Sequence, residues 1–252
     1  MPTFFVEAGP EGVGNLINID GDDAWHISRS LRLAPGARVT LVQEVGRERE
    51  AVLEEVGPTR VVARVVAEST CQREPRARLH VLQAIPKGQG MTEVCERLAE
   101  LGVMSVWPIL TERTIPRLDP EQGRAKRVRW QRVAREAAQL ARRHQAPRIS
   151  DPLPLLHAVR AVRQQEESAQ LLACDQRSAA VSLVSAPWDP SQATALVIGP
   201  EGGLAPAELD ELRAEGAIAV SLGPRNLRTL LASTVAATVL LQRAGDLEPP
   251  RL

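Results

Sequence analysis

Polar and apolar positions follow two different rhythms along this chain. Residues 4–6, 16–19, 38–42, 51–56 and 60–66 are short runs rich in β-branched side chains, which predicts strands. Pro35-Gly36 and Gly57-Pro58 punctuate them as turns. Residues 22–33 break that rhythm and predict one helix, with Asp22 or Asp23 as its N-cap. Five or six strands and one helix predict a small β-barrel over residues 1–72. The polar segment 69–78, which contains Pro75, marks a boundary.

From residue 73 to 252 the pattern changes to apolar strands alternating with helices. Strand 79–84 precedes helix 92–101, where Val94, Leu98 and Leu101 share one face. Gly102 ends that helix, and strand 103–110 follows. Helix 126–143 has an apolar stripe (Trp130, Val133, Ala134, Ala137, Leu140, Ala141), with arginines over its remaining surface. Helix 154–165, strand 170–174 and a Ser/Pro-rich loop at 185–191 come next. Residues 196–242 then read strand, glycine turn, helix begun by Pro206 and stopped at Gly216, strand 218–222, second turn, long apolar helix. This β-turn-α-turn-β order predicts an α/β domain with a parallel sheet. The tail 246–252 is expected to fray.

Charge adds a segregation that the net value of zero conceals. Residues 1–70 carry seven arginines against eleven acids, whereas residues 113–148 carry eleven cations against three acids. The basic block fits either a polyanion partner or a solvated helix face. Three scattered cysteines and four scattered histidines form no CxxC or HExxH pattern. That predicts no disulfide framework, no metal and a reducing cytoplasm. No apolar run approaches the length of a membrane span.

In parallel sheets ligands sit outside the carboxyl ends of the strands, where both glycine turns fall. Gly199-Pro200-Glu201-Gly202-Gly203 lacks the Gly-Lys-Ser/Thr of a Walker loop and is not GxGxxG. It is either a plain βα turn or a cradle offering bare backbone groups to a flat polar ligand.

Several motifs then line up in order. His26-Ile27-Ser28-Arg29-Ser30-Leu31-Arg32-Leu33 lies in the β-domain. Gln83-Ala84-Ile85-Pro86-Lys87-Gly88, Glu100-Leu101-Gly102-Val103, Thr111-Glu112-Arg113-Thr114 and Arg135-Glu136-Ala137-Ala138 follow. Ile198-Gly199-Pro200-Glu201-Gly202-Gly203 and Ser221-Leu222-Gly223-Pro224-Arg225-Asn226-Leu227-Arg228-Thr229 complete the set. Together they resemble the RsmE family of 16S ribosomal RNA uracil-N3 methyltransferases, members of the SPOUT (trefoil-knot) superfamily. The resemblance implies a PUA-like barrel followed by a knotted α/β domain. It also implies a cytoplasmic homodimer acting on 16S rRNA or the small ribosomal subunit, with S-adenosyl-L-methionine as cofactor.

On that resemblance the cofactor is expected against Leu172, Ile198, Gly199, Pro200, Glu201, Gly202, Gly203, Leu222, Gly223, Asn226, Leu227 and Arg228. Arg225, Arg228 and Glu201 are the candidate catalytic residues. His26, Arg29, Arg32, Lys87, Arg113, Arg127, Arg132, Arg135 and Arg143 are the candidate RNA contacts. Two departures stand out. The family's Glu after Arg-Thr is Leu230 here, which would shift its work to Ser233 or Thr234. Of the family's Gln-Ser-x-Arg, only the arginine remains in Leu140-Ala141-Arg142-Arg143. A ribose 2′-O methyltransferase of the same superfamily and a non-catalytic RNA-binding protein are the competing readings.

Overall fold

The computed structural model describes residues 1–7, 10, 12–44 and 46–248. The chain divides into two compact units, residues 1–74 with 138–146, and residues 75–137 with 147–252.

The first unit holds β1 (Thr3–Phe5), β2 (Leu16–Asp20), α1 (Gly21–Trp25), β3 (Arg38–Glu44), β4 (Arg47–Val56) and β5 (Arg60–Thr70). They form one sheet in the order β1-β3-β4-β5-β2. Every pair is antiparallel except β1 with β3. Alternation puts Ile17, Ile19, Val39, Leu41, Ala51, Leu53, Val61 and Ala63 into one core with Ala24 and Ile27. Register shifts in β4, between Glu50 and Ala51 and between Leu53 and Glu55, bend the sheet around that core.

The helix differs from the expected 22–33. It begins at Gly21 with Asp20 as N-cap, and after Trp25 it continues as a π turn over His26–Ser30. Arg32 then adopts φ 52°, so the chain leaves the helix before Leu33.

The second unit is built on an all-parallel sheet. Its strands are β6 (Leu79–Ala84), β7 (Ser105–Leu110), β8 (Arg148–Ile149), β9 (Leu153–Pro154), β10 (Gln170–Cys174), β11 (Val181–Ser182), β12 (Thr194–Ile198) and β13 (Ile218–Ser221). The order is β11-β13-β10-β12-β6-β7-β8, with β9 also pairing β7. The two-residue strands β8, β9 and β11 have no sequence signal of their own. The helices are α2 (Gly90–Leu101), α3 (Pro120–Leu140), α4 (Leu155–Gln165), α5 (Pro206–Ala214) and α6 (Thr229–Ala244).

Successive residues of each strand serve opposite faces. Leu79, Val81, Leu172, Leu196 and Ile198 join the core with α2 and α6. Leu82, Ala84, Leu171, Ala195 and Val197 join the core with α4 and α5. Both faces are therefore covered, which is why these strands read as continuous apolar runs.

Helix α3 starts six residues earlier than expected. Pro120 suits the first helical position, and the Asp119 carboxylate accepts the Gln122 N–H at 2.8 Å as a cap. It ends at Leu140, short of the expected Arg143. Arg142 takes φ 57° while the Arg143 N–H bonds Ala138 O and the Arg142 N–H bonds Gln139 O. That is a Schellman closure with an arginine in the place usually held by glycine.

Arg143, expected to face RNA, is buried. Its guanidinium pairs with Glu74 at 2.6 Å, with the two side chains 4% and 8% exposed. The same carboxylate accepts the N–H groups of His144 and Gln145. Asp246, expected in a frayed tail, instead accepts the N–H groups of Arg76 and Ala77 at 3.0 and 2.9 Å. Residues 249–252 of that tail lie outside the described residues.

Glu74→Ala strands a buried arginine and two backbone donors. It is expected to cost about 3–5 kcal/mol, read as a lower urea midpoint; an unchanged midpoint would show the pair to be solvated.

Candidate active site

Strand β10 lies between β12 and β13, with Cys174 in register with Ile198 on one side and Val220 on the other. The carboxyl ends of the three strands therefore open side by side. The loops that follow them, residues 174–177, 199–204 and 222–228, enclose a cavity of about 380 Å³ with Thr229 and Ala232 of α6.

The glycine loop is fixed from several sides. Gly203 (φ 71°) closes a tight turn by donating its N–H to Pro200 O at 2.8 Å. A Cβ on Gly199 would stand 3.1 Å from the Leu204 nitrogen, so the backbone there is approached too closely for a side chain. The Thr229 hydroxyl donates to Gly199 O at 2.6 Å and accepts from the buried Gln83 amide at 2.9 Å. Glu201 accepts the Lys87 N–H at 3.0 Å. Arg113 donates to Gly202 O and Leu204 O. Glu208 binds the N–H groups of Ala205 and Glu112, both at 2.8 Å. The loops after β6 and β7 thus hold the loop after β12.

On the other rim Gln176 donates to Pro224 O at 2.9 Å, and the Asp175 N–H donates to Val220 O at 3.1 Å. The Asp175 carboxylate is anchored by Ser178. Arg177, Arg225 and Arg228 are exposed at the cavity beside Asp175 and Glu201. Cys174 is half-buried at the cavity wall, where desolvation by the packed loops pushes its thiol up to about 12, with the neighbouring Asp175 charge adding to the effect. This cavity residue is therefore a protonated, poorly nucleophilic thiol at neutral pH.

The structure brings together Ile198, Gly199, Pro200, Glu201, Gly202, Gly203, Leu222, Gly223, Arg225, Asn226, Leu227 and Arg228 around this cavity. Leu172 is the exception. It is 1% exposed in the core, two residues before the end of β10, and does not line the cavity. The residues that do, Cys174, Asp175, Gln176 and Arg177, went unread because no glycine turn marks the end of β10. Only the strand order shows that this end is central. Thr229 was also missed.

Ser233 and Thr234 do not replace the absent Glu. Both hydroxyls donate back to Leu230 O within α6, and neither lines the cavity. Leu230 itself packs into the core against the start of α2.

The cationic candidates divide. Arg113 is committed to the glycine loop, and Lys87 is exposed with its N–H on Glu201. Arg127 lies 3.0 Å from Asp151, Arg132 is exposed 3.6 Å from Glu136, and Arg135 is half-buried. In the first unit Arg29 and Arg32 are exposed, while half-buried His26 meets the Phe4 ring edge-on. Among the described residues no cluster of three or more His, Cys, Asp or Glu could hold a metal ion.

Residues 72–241 match the RNA methyltransferase domain family, and residues 19–66 match the RNA methyltransferase PUA domain family. Ribosomal RNA small subunit methyltransferase E of Mycobacterium bovis is 31% identical, over 92% of this chain and 88% of its own length. The protein of that name from Bacillus subtilis is 26% identical over 91% of each. Among solved structures, a Legionella pneumophila methyltransferase in complex with S-adenosylmethionine is 30% identical with a TM-score of 0.83. That match covers 96% of this chain and 98% of that one. Ribosomal RNA small subunit methyltransferase E of Neisseria gonorrhoeae, bound to S-adenosylmethionine, is 25% identical with a TM-score of 0.84 over 96% and 98%. With both units matched in order across nearly its whole length, the chain belongs to the RNA methyltransferase family that includes ribosomal RNA small subunit methyltransferase E.

Proposed function

We propose that this protein transfers a methyl group from S-adenosylmethionine to N3 of a uridine in 16S rRNA, as a cytoplasmic homodimer. The observation that carries the reading is the cavity at the ends of β10, β12 and β13. Its volume of about 380 Å³ is within the range of small-molecule sites. The residues present fit the cofactor: the close-packed Gly199 backbone suits a flat ring, and Ile198, Leu222, Leu227 and Ala232 give apolar walls. When bound, S-adenosylmethionine supplies an electrophilic methyl carbon on a sulfonium.

The chain's part is alignment and charge. Rigid loops hold the donor so that the N3 lone pair meets the methyl carbon in line as the carbon–sulfur bond breaks. N3 of neutral uracil carries a proton that passes to solvent water, which leaves the in-plane lone pair free to take the methyl group. Arg225 and Arg228 stabilise the resulting anion, while Glu201 latches the loop through the Lys87 N–H. Cys174, held as a thiol, does not compete for the methyl group. His26, Arg29, Arg32 and the exposed cations of α3 contact RNA. No helix among the described residues is long and apolar enough to cross a membrane.

Incubation with S-adenosylmethionine and small subunits lacking the modification should yield 3-methyluridine by nucleoside mass spectrometry. A ribose methyl would move the chemistry to the 2′ oxygen, and no methylated nucleoside with cofactor binding intact would refute the target. Replacing Arg127, Arg132 and Arg135 together should flatten the slope of log K against log salt by about 2; an equal slope returns α3 to a solvated face. Native Cys174 should resist iodoacetamide at pH 8 and react after unfolding in urea, as seen by peptide mass spectrometry. Equal labelling in both states would show an accessible thiolate.

A further inference from the structure

Trp25 stands apart from the other three indoles. Trp107 and Trp130 are 3% and 4% exposed, and Trp107 donates to Ser105 at 2.7 Å. Trp188 donates to Thr194 at 2.8 Å and lies under the Arg243 guanidinium. Trp25 is 56% exposed at the end of α1. A large aromatic held in water gains little for folding and is the side chain that interfaces favour.

Its surroundings are divided: Asp20, Asp22 and Asp23 precede it at the start of α1, and Arg29 and Arg32 follow it. After Trp25 the helix widens into the π turn, closed by the Leu31 N–H on His26 O and the Leu33 N–H on Ile27 O. In such a turn residues four or five apart share a face, which sets Arg29 beside Trp25. Arg29 and Arg32 are both exposed, and neither has an ion-pair partner among the described residues. Gln139 donates to Asp23 at 3.1 Å, which ties segment 138–146, with its exposed Arg142, to α1. Over residues 1–70 acids outnumber arginines eleven to seven. A polyanion is therefore drawn to this unit only locally, and the side of Trp25 that carries Arg29 and Arg32, away from Asp22 and Asp23, is such a place.

We propose that Trp25 is a stacking platform for an unpaired nucleobase of the RNA substrate, with Arg29 and Arg32 on the flanking phosphates. An exposed indole followed by unpaired arginines is a pairing that holds splayed-out bases, through the ring face and the backbone together. Stacking reads no base identity, so the platform selects single-stranded RNA beside the target. The inference rests on the RNA methyltransferase reading and adds a residue and a binding mode to it.

The test uses the full-length protein, a short single-stranded oligouridylate and a duplex of equal length, followed by fluorescence anisotropy. W25A should weaken single-strand binding about 5- to 150-fold and leave the salt slope and duplex binding unchanged. W25F should recover most of the affinity. R29A and R32A should flatten the salt slope. RNA should quench Trp25 emission in the wild type. Circular dichroism and the melting temperature of W25A should match the wild type, since the indole is exposed. Wild-type affinity in W25A overturns the platform alone, whereas a wild type that binds no RNA overturns the RNA reading with it. Loss of binding to ribosomal proteins with RNA affinity intact also overturns the platform.

Discussion

The parallel pairing of β10 between β12 and β13 is the constraint on which the rest of the structure depends. Parallel strands in register end at the same level, so three loops emerge together. Those loops carry bare backbone groups that the sheet does not satisfy. They are held instead by Thr229, Glu201, Arg113 and Glu208, each reaching in from or toward a different element. A cradle built this way is preorganised before any ligand arrives, which is the condition for a site whose main task is alignment.

Charge is used in two ways. Arg143 and Arg113 are spent inside the protein, one against the buried Glu74 carboxylate and one on the glycine-loop carbonyls. Arg's planar fork and permanent charge suit both tasks. Arg225 and Arg228 stay exposed at the cavity, and Arg29 and Arg32 stay exposed beside Trp25. A count of cations along the basic block therefore overstates what faces a polyanion, because burial removes some of them.

The most pointed departure from the family pattern is Leu230. The resemblance implies a carboxylate there, yet the side chain packs with the α2–α6 core, tight enough that a Cβ on Gly90 would come within 2.8 Å of it. The relay from Gln83 through Thr229 to Gly199 O remains intact one residue earlier. Loop geometry and the residue after Thr229 are thus separable: the first is kept by hydrogen bonds, and the second is given over to packing.

The sequence by itself determined most of the element types, the change from strand rhythm to β-α alternation near residue 75, and the place of the two glycine turns at strand ends. Each is a local property. Periodicity, glycine and proline act within a few residues, so strand 79–84, strand 170–174 and the turns at 199–203 and 223–226 were legible where they stand. Only the tertiary structure decided that β10 is central, that Asp175 and Thr229 face the cavity while Leu172 does not, and that Arg143 is buried. It also decided that α1 ends in a π turn with Trp25 in water. These depend on strand order and on partners distant in sequence, as Arg143 depends on Glu74 and Thr229 on Gln83. No local pattern encodes a partner, because the hydrogen bond or ion pair exists only once the chain has brought the two together.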